Sequence, residues 1–172
     1  MVLDPLSPAS AARMVSVLQT TSIVPVTGAL LGDCLSFDHV AARGRQERRG
    51  ELSDAAQHGR MRVAVSDGET AGYSVVAPWF FDEQFLALLY VKSSLRGQGI
   101  GSRLLEDFEQ ANGPRVFTST NLSNARMQRL LRHRLWAPCG MLNGLDEGDP
   151  EIFFVKPLRP ALRRHGRYFV KL

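Results

Sequence analysis

Between residues 61 and 91 the apolar positions follow the patterns of β-strands. Residues 61–66 and 72–79 are rich in β-branched and aromatic side chains, and Asp67-Gly68-Glu69-Thr70 joins them. This combination predicts a β-hairpin. The next run, residues 85–91, is apolar without alternation, which is typical of a strand covered on both faces. We expect it to be the central strand of a sheet.

Farther along, apolar residues return at helical spacing. A helix is predicted after Gly101, and Asn112-Gly113-Pro114 would end it. Residues 115–119 then form a strand, Ser123-Asn124 begin a second helix, and strands near 136–142 and 151–155 close the chain. The apolar stripes of the two helices are Leu104, Leu105, Phe108 and Ala111 in the first, and Met127, Leu130, Leu131 and Leu135 in the second.

The N-terminal third has weaker patterns. Residues 2–4 fit a short strand, and Ser7-Pro8-Ala9-Ser10 suit the start of a helix that continues to about Gln19. Residues 33–57 are polar and rich in Arg and Ala, which predicts one or two helices. The complete order of elements predicts a mixed α/β sheet.

Composition narrows the class of protein. A chain of 172 residues with 44% hydrophobic and 22% charged residues fits one globular domain and excludes a disordered or fibrous protein. No run approaches the ~20 apolar residues of a membrane span. The apolar stretch 14–34 is interrupted by Gln19-Thr20-Thr21-Ser22 and has no basic segment before it, which disfavours a signal peptide. We expect a cytoplasmic protein without membrane contact.

The two cysteines, Cys34 and Cys139, are far apart and belong to no ligand cluster. They predict neither a disulfide framework nor a metal site. Two reduced thiols are the expectation.

The positive charge is concentrated at the C-terminus. The sequence pI is about 9.5, but residues 159–172 contain five of the 21 basic residues and no acid. The rest of the chain has 16 basic and 17 acidic residues and is close to neutral. We therefore predict a domain over residues 1–158 and a basic tail over 159–172. A nucleic-acid contact by this tail is disfavoured, because five scattered charges support only weak, salt-sensitive attraction.

A glycine-rich turn follows the central strand and leads into the next helix. It reads Arg96-Gly97-Gln98-Gly99-Ile100-Gly101-Ser102. Free N–H groups and the positive dipole end at a helix N-terminus bind phosphate oxygens, and glycines permit close approach. The glycines alone would favour a plain tight turn over a binding site. A nucleoside-triphosphate loop is excluded by the missing Gly-Lys-Ser/Thr, and the G-x-G-x-x-G spacing of dinucleotide sites is absent.

The remaining pattern, Arg-x-x-Gly-x-Gly at Arg96, Gly99 and Gly101, resembles the signature of the GNAT superfamily of acyl-CoA-dependent N-acyltransferases. In that family Gln/Arg-x-x-Gly-x-Gly/Ala also follows a buried strand and begins a helix. The resemblance continues at Asn124, which opens the next helix twelve residues before the aromatic Trp136. It covers roughly residues 61–158. It implies an α/β fold with a central, mostly antiparallel sheet flanked by helices.

The resemblance also implies acetyl-CoA as cofactor, an amine as acceptor and no metal. Backbone groups of Leu89, Tyr90 and Val91 would pair with the pantetheine arm as an added strand. Arg96 and Asn124 would lie beside the cofactor. The pyrophosphate would be held by the amides of the turn, which are those of Gly97, Gln98, Gly99, Ile100, Gly101 and Ser102.

Acetyl transfer to an amine needs a base, because an amine of pKa ~10.4 is less than about a thousandth neutral at pH 7. The segment 143–151 contains four acids and two glycines between the last two strands. A solvated hairpin loop is the favoured interpretation. The alternative is that Glu147 or Asp149 folds over the cleft, attracts the amine and takes its proton.

The acid for the leaving thiolate is harder to find. Many GNAT members carry a tyrosine in the second helix for this role, and the alignment on Asn124 and Trp136 places Leu131 there. Ser119 is the hydroxyl that we select, with Thr118, Thr120 and Tyr90 as further candidates, although such side chains more often bond to backbone.

Three functions follow from the sequence. The first is an N-acetyltransferase acting on a primary amine, with a small molecule favoured over peptide N-termini or lysine side chains. The second is a non-catalytic acyl-CoA-binding module, supported by Leu131. The third is a protein or peptide N-acetyltransferase. GNAT proteins are often dimers, which leaves a homodimer open.

Overall fold

A seven-stranded sheet organises the protein. The computed structural model describes residues 20–77 and 79–158, and within them the sheet has the strand order β1-β2-β3-β4-β5-β7-β6. The strands are β1 (Thr21–Pro25), β2 (Met61–Ser66), β3 (Glu69–Val76), β4 (Gln84–Val91), β5 (Arg115–Asn121), β6 (Ala137–Leu142) and β7 (Glu151–Pro157). The helices are α1 (Gly28–Phe37), α2 (His39–Ala42), α3 (Gln46–Gln57), α4 (Ile100–Ala111) and α5 (Ala125–His133).

Neighbouring strands are antiparallel except for β4 and β5, which are parallel. The prediction of a mixed, mostly antiparallel sheet is confirmed. β4 is the fourth of the seven strands, so its central position is also confirmed. The predicted β2–β3 hairpin turns at Asp67 and Gly68, which both have positive φ, as a two-residue type I′ turn requires.

Helices cover the two faces of the sheet unequally. On one face, α1 and α3 pack over β2 and β3, with Cys34, Leu52 and Tyr73 in the buried core. We call this the α1–α3 face. On the opposite face, the α4–α5 face, α4 lies against the central strands and α5 against the second half of the sheet. The predicted α4 stripe is buried at Leu104, Leu105 and Phe108, while Ala111 is exposed.

Several N-terminal predictions need correction. β1 was not predicted, because Thr21 and Ser22 look like a polar interruption; in the sheet the Thr21 hydroxyl lies 3.1 Å from that of Ser66. The helical region starts at Gly28 and contains three helices instead of one or two. The break after α1 is stabilised by Asp38, whose carboxylate accepts from the backbone N–H of the first α2 residues. The elements predicted at 2–4 and 7–19, and the tail 159–172, lie outside the described residues.

Two boundary predictions are also wrong. β3 begins at Glu69 and ends at Val76, so that Trp79, predicted in this strand, belongs to the following loop and is 86% exposed. Leu135 was expected on the apolar stripe of α5. The helix instead ends at His133, and Leu135 has φ 64° and is 82% exposed. A left-handed residue after a helix reverses the chain, and here it carries Trp136 into the core, where its N–H bonds to the Leu131 carbonyl at 2.9 Å.

The chain shows no membrane-crossing element of helical type in its described residues: each helix there is too short or too polar to cross a bilayer.

Candidate functional site

The strands β4 and β5 pair over only a short length and then separate. Their register joins Gln84 to Val116 and ends where Leu86 meets Thr118. Beyond this point a cleft of about 750 Å³ opens between the rest of β4 and residues 119–121 of β5. The expectation that β4 is covered on both faces is therefore wrong, because Leu86 is its single buried residue.

A β-bulge lies where the two strands separate. Val75 pairs with Leu88 and Val76 with Leu86, so Ala87 is an extra residue on β4. A bulge leaves the extra residue without a ladder partner and resets the alternation of side chains. Accordingly Leu86 packs in the core of the α4–α5 face, whereas Leu88 packs against the α1–α3 core. The free backbone of β4 therefore begins at the floor of the cleft.

The remainder of β4 presents backbone groups to the cleft. The Lys92 N–H donates to the Ala71 carbonyl at 2.9 Å, and the bonds of an antiparallel ladder alternate in direction. The backbone groups of Tyr90 therefore point to β3, and those of Leu89 and Val91 point away from β3 into the cleft. The Val91 carbonyl accepts from Arg96 Nε at 3.0 Å. The backbone groups left for the predicted contact with the pantetheine arm are therefore the N–H and C=O of Leu89 and the N–H of Val91. Those of Tyr90 bond to β3 instead.

The glycine-rich turn connects β4 to α4 through a 3₁₀ turn at Ser93–Leu95. Gly97 and Gly99 have φ of 87° and 82°, a region that favours glycine, and a Cβ at either position would meet nothing within 4 Å. Gly101 has a different role: a Cβ there would lie 3.2 Å from a methyl group of Leu130, which would have to shift by a few tenths of an ångström. Two glycines therefore set the turn, and the third lets α5 pack closely.

The first amides of α4 are available to bind an anion. Gly99 is the N-cap and has no side chain to satisfy them, and Arg103 N–H bonds to the Gly99 carbonyl at 3.1 Å. Since the first turn of a helix has no earlier carbonyls, the N–H groups of Ile100, Gly101 and Ser102 have no helical partner. Together with the helix dipole they can bind phosphate oxygens.

All predicted cofactor residues except Gln98 line the cleft; those that do are Leu89, Tyr90, Val91, Arg96, Gly97, Gly99, Ile100, Gly101, Ser102 and Asn124. Arg96 lies over the Tyr90 ring, with Cζ 5.7 Å from its centroid. Asn124 is the N-cap of α5, and its Oδ1 accepts from the Met127 N–H at 3.1 Å. Their assignment to a cofactor stays a prediction.

The other side of the cleft is formed by side chains of the α1–α3 face. Ser119, Asn121 and Glu151 line it, and Asn121 pairs with Glu151 in the β5–β7 register. Glu151 is half-buried, and within the described residues its carboxylate has no hydrogen-bond or ion-pair partner. The sequence analysis missed Glu151. No pattern in the sequence marked it, because its place beside the cleft follows from the pairing of β5 with β7.

The two predicted catalytic acids lie elsewhere. Asp149 binds Ser123 through both oxygens, from the backbone N–H at 2.9 Å and from the hydroxyl at 2.6 Å. Glu147 is exposed in the β6–β7 loop and does not line the cleft. Asp146 accepts from Asn121 Nδ2 at 2.7 Å, which fixes the loop beside the cleft. A catalytic role for Glu147 or Asp149 stays a prediction.

The hydroxyl candidates also differ in their surroundings. Thr118 donates to the Leu86 carbonyl at 2.8 Å and is buried. The Tyr90 hydroxyl lies 2.7 Å from His39 Nδ1. Ser119 lines the cleft, and among the described residues its hydroxyl has no partner. Leu131 is fully buried in the core. Thr120 also lines the cleft, and its hydroxyl likewise has no partner among the described residues, so Ser119 and Thr120 are the two candidate hydroxyls left for a bound ligand.

A buried polar cluster on the α1–α3 face reaches the cleft through Arg48. The Tyr73 hydroxyl donates to Asp38 Oδ2 at 2.6 Å, and burial, followed by this hydrogen bond, raises the pKa of Tyr73 above its ordinary value. Arg48 lines the cleft, but its Nε lies 3.8 Å from Asp38 and its Nη1 donates to Glu51 at 3.0 Å. The charge of Arg48 is thus largely compensated.

The cleft is lined by no cysteine, and no metal-ligand cluster is found among the described residues. Both cysteines are free thiols, as predicted, and neither lines the cleft. Burial, helped by the charges of Asp33 and Asp38, raises the pKa of Cys34 to about 12, which keeps it protonated. Across residues 20–77 and 79–158, no group of three or more His, Cys, Asp or Glu side chains is placed to hold a metal ion.

Comparison with known proteins places this geometry in a family. The family profile described as "Acetyltransferase (GNAT) domain" matches residues 57–134, which include β4, the turn, α4 and α5. Proteins of curated function gave no match to this sequence.

Solved structures share the fold. An acetyltransferase of the GNAT family from Bacillus cereus is 27% identical with a TM-score of 0.75, over 82% of this chain and 99% of that one. A ribosomal-protein-alanine N-acetyltransferase from Brucella melitensis is 24% identical with a TM-score of 0.63, over 80% and 99%. An N-acetyltransferase from Staphylococcus aureus is 17% identical with a TM-score of 0.63, over 81% and 99%. The chain therefore contains, over residues 57–134, an acetyltransferase domain of the GNAT superfamily.

Proposed function

We propose that this protein is an acetyl-CoA-dependent N-acetyltransferase that acts on the primary amine of a small molecule. One observation carries the proposal: the free backbone of β4 and the amide-lined N-terminus of α4 meet in a single cleft. This arrangement suits an elongated ligand that has amide groups at one end and a pyrophosphate at the other.

The cofactor would lie along β4. Its pantetheine amides would pair with Leu89 and the Val91 N–H, and its pyrophosphate would bind the amides of Ile100, Gly101 and Ser102. Arg96 and Arg126, which both line the cleft, add positive charge for the phosphates. In this pose the thioester lies near Ala87, where the two strands separate, and backbone N–H groups there would stabilise the oxyanion.

The acceptor amine would enter from the side of Ser119 and Glu151. Glu151 would attract the ammonium ion and take one proton from it, which frees the nitrogen lone pair. The nitrogen then bonds to the acetyl carbon and the carbon–sulfur bond breaks. The second proton passes from nitrogen to the leaving thiolate, with the Ser119 hydroxyl as the proposed relay. The products are an N-substituted acetamide and coenzyme A.

A non-catalytic acyl-CoA-binding module is the second candidate. It is favoured by Leu131, which occupies the position of the expected tyrosine and is buried. It predicts cofactor binding without acetylation of any amine.

The cofactor site is tested by the pair Gly99→Asp and Gly99→Asn, with acetyl-CoA binding measured by calorimetry. Both residues are similar in size and both must adopt the left-handed conformation, so the pair differs in charge alone. A carboxylate a few ångströms from the pyrophosphate should repel it. We expect Gly99→Asp to bind acetyl-CoA at least about tenfold more weakly than Gly99→Asn, which corresponds to ~1.4 kcal/mol.

Gly68→Asp is the control for backbone strain, because Gly68 has φ 81° at the hairpin turn, outside the cleft. It should bind acetyl-CoA as the unmodified protein does. Equal affinity of the two Gly99 variants would contradict the anion site, and absence of binding in the unmodified protein would overturn the proposed function.

A further inference from the structure

An aromatic surface continues the acceptor side of the cleft. Leu86, Val116 and Phe154 are buried on the α4–α5 face, so their neighbours Phe85, Phe117 and Phe153 point to the opposite face. Phe80 packs on these three rings, with centroid distances of 4.4, 5.4 and 6.2 Å. We call Phe80, Phe85, Phe117 and Phe153 the aromatic platform. All four side chains stay partly exposed.

The platform adjoins the acceptor site. Phe153 pairs with Ser119 in the β5–β7 register, and Ser119 lines the cleft. Glu151 lies two residues before Phe153 on β7, so the two side chains point to the same face roughly 7 Å apart. A molecule whose amine contacts Glu151 therefore reaches the rings with its next few atoms.

The charges beside the platform are complementary to a cation. Residues 143–155 contain Asp146, Glu147, Asp149 and Glu151 and neither Lys nor Arg. Asp146 is held next to Glu151 by its bond to Asn121. Arg48, on the opposite wall, is compensated by Asp38 and Glu51. The site thus offers a negative end and an apolar end.

The β3–β4 loop extends the aromatic surface outward. Phe81 and Asp82 have φ of 52° and 60°, a conformation that is uncommon for residues other than glycine and is often found at functional sites. The loop is tied to the sheet where Glu83 pairs with Arg115, whose guanidinium lies over the Phe117 ring at 5.7 Å. Trp79 and Phe81 are 86% and 75% exposed, and the Phe81 ring packs edge-on against Phe80 at 5.3 Å.

We infer, on the basis of the proposed function, that the acceptor is a cationic amine carrying an aromatic or similarly bulky apolar group within about 7 Å of its nitrogen. An arylalkylamine has this chemistry. Its ammonium group binds Glu151, and its ring packs in offset or edge-to-face contact against Phe153, the platform residue that pairs with Ser119.

The experiment compares 2-phenylethylamine with ethylamine as acceptors, at saturating acetyl-CoA, through release of the coenzyme A thiol. We expect kcat/KM for 2-phenylethylamine to be at least about tenfold higher, since a well-filled apolar subsite discriminates by this order. Phe153→Ala should lower that ratio toward one, and Phe153→Leu should have an intermediate effect. The loss in kcat/KM should be larger for 2-phenylethylamine than for ethylamine, and the affinity for acetyl-CoA, which contacts the other wall, is measured alongside. Leu135→Ala, at a residue that is 82% exposed and does not line the cleft, is the matched control.

Equal kcat/KM for the two amines, or a parallel loss for both in Phe153→Ala with unchanged acetyl-CoA binding, would overturn the inference. If no amine is acetylated, the proposed function fails, and calorimetry with 2-phenylethylamine on the coenzyme A-saturated protein then decides the inference separately. Binding weakened by Phe153→Ala supports the subsite. Absence of binding, as expected if a peptide or the chain's own terminus covers the platform, overturns it.

Discussion

The two walls of the cleft recognise ligands by different means. The wall of β4 and α4 offers backbone groups: Leu89, the Val91 N–H and the free amides of α4. The wall of β5 and β7 offers side chains, chiefly Ser119, Glu151 and Phe153. A substitution usually leaves the backbone N–H and C=O groups in place, whereas it replaces the side chain. The first wall therefore suits a ligand that a whole family shares, and the second suits a ligand that differs among members.

The largest effect is expected on the wall of β5 and β7, where a substitution should impair catalysis without weakening cofactor binding. If Glu151 takes the proton of the acceptor, Glu151→Gln should lower kcat/KM for the amine by about 10²-fold, within the range of general-base catalysis. The affinity for acetyl-CoA, measured by calorimetry, should stay unchanged because the cofactor contacts the other wall. Glu47→Gln, at an exposed residue of α3, is the control.

Glu147→Gln separates this assignment from the sequence-based prediction. A comparable loss in Glu147→Gln, with Glu151→Gln close to normal, would transfer the role of base to the β6–β7 loop.

A smaller effect, on stability, is expected at Glu109, which connects α4 of one wall to β7 of the other. Glu109 on α4 binds Arg134, Lys156 of β7 and the Trp136 indole, at distances of 2.7 to 3.2 Å. Glu109→Gln leaves two partly buried cations without their counter-charge, so we expect a loss of about 2–3 kcal/mol in the free energy of unfolding at pH 7. Denaturant unfolding measures this loss.

The pH dependence of the same variant has a defined sign. Burial acts to raise the pKa of Glu109, but the hydrogen bonds from Arg134, Lys156 and Trp136 outweigh it and lower the pKa below the ordinary value of 4.5. A lowered carboxyl pKa contributes stability above the unfolded-state pKa, and that contribution is lost as pH falls through the folded-state pKa. The difference between Glu109→Gln and the unmodified protein should therefore shrink below about pH 4.5. A constant difference down to pH 3 would contradict the ionic role.

The smallest effect is expected at Ser102, on the wall of β4 and α4, and it separates the role of the Ser102 amide from that of its hydroxyl. The Ser102 hydroxyl accepts from Arg134 Nη1 at 3.0 Å, while the Ser102 amide is free for the ligand. Ser102→Ala should change the dissociation constant of acetyl-CoA by less than about threefold, comparable to one modest hydrogen bond. Calorimetry that finds a loss above tenfold would show that the hydroxyl itself binds phosphate.

The backbone wall could be predicted from the sequence because its information is local. The order of strand, glycines and helix is continuous from residue 85 to residue 111, and the positive φ of Gly97 and Gly99 agrees with the residue type. Its finer geometry was not predictable. The bulge at Ala87, which directs Leu89 toward the cleft, depends on the register with β3.

The side-chain wall could not be predicted because it depends on pairing between distant segments. Glu151, Glu147 and Asp149 share one acidic segment, and composition does not rank them. Only the β5–β7 register, which joins Asn121 to Glu151, selects Glu151 for the cleft. The same holds for the platform, since Phe85, Phe117 and Phe153 come from three strands that the sequence does not place side by side.

The ends of the sheet limit how these molecules can associate. Within the described residues β1 and β6 are the edge strands, and each contains a proline, Pro25 and Pro138. A proline has no N–H for an additional strand, and the register shift after Pro138 distorts that edge further. Growth of the sheet from one molecule to the next is thus disfavoured. The described part of the protein should therefore resist strand-to-strand aggregation through these two edges at high concentration.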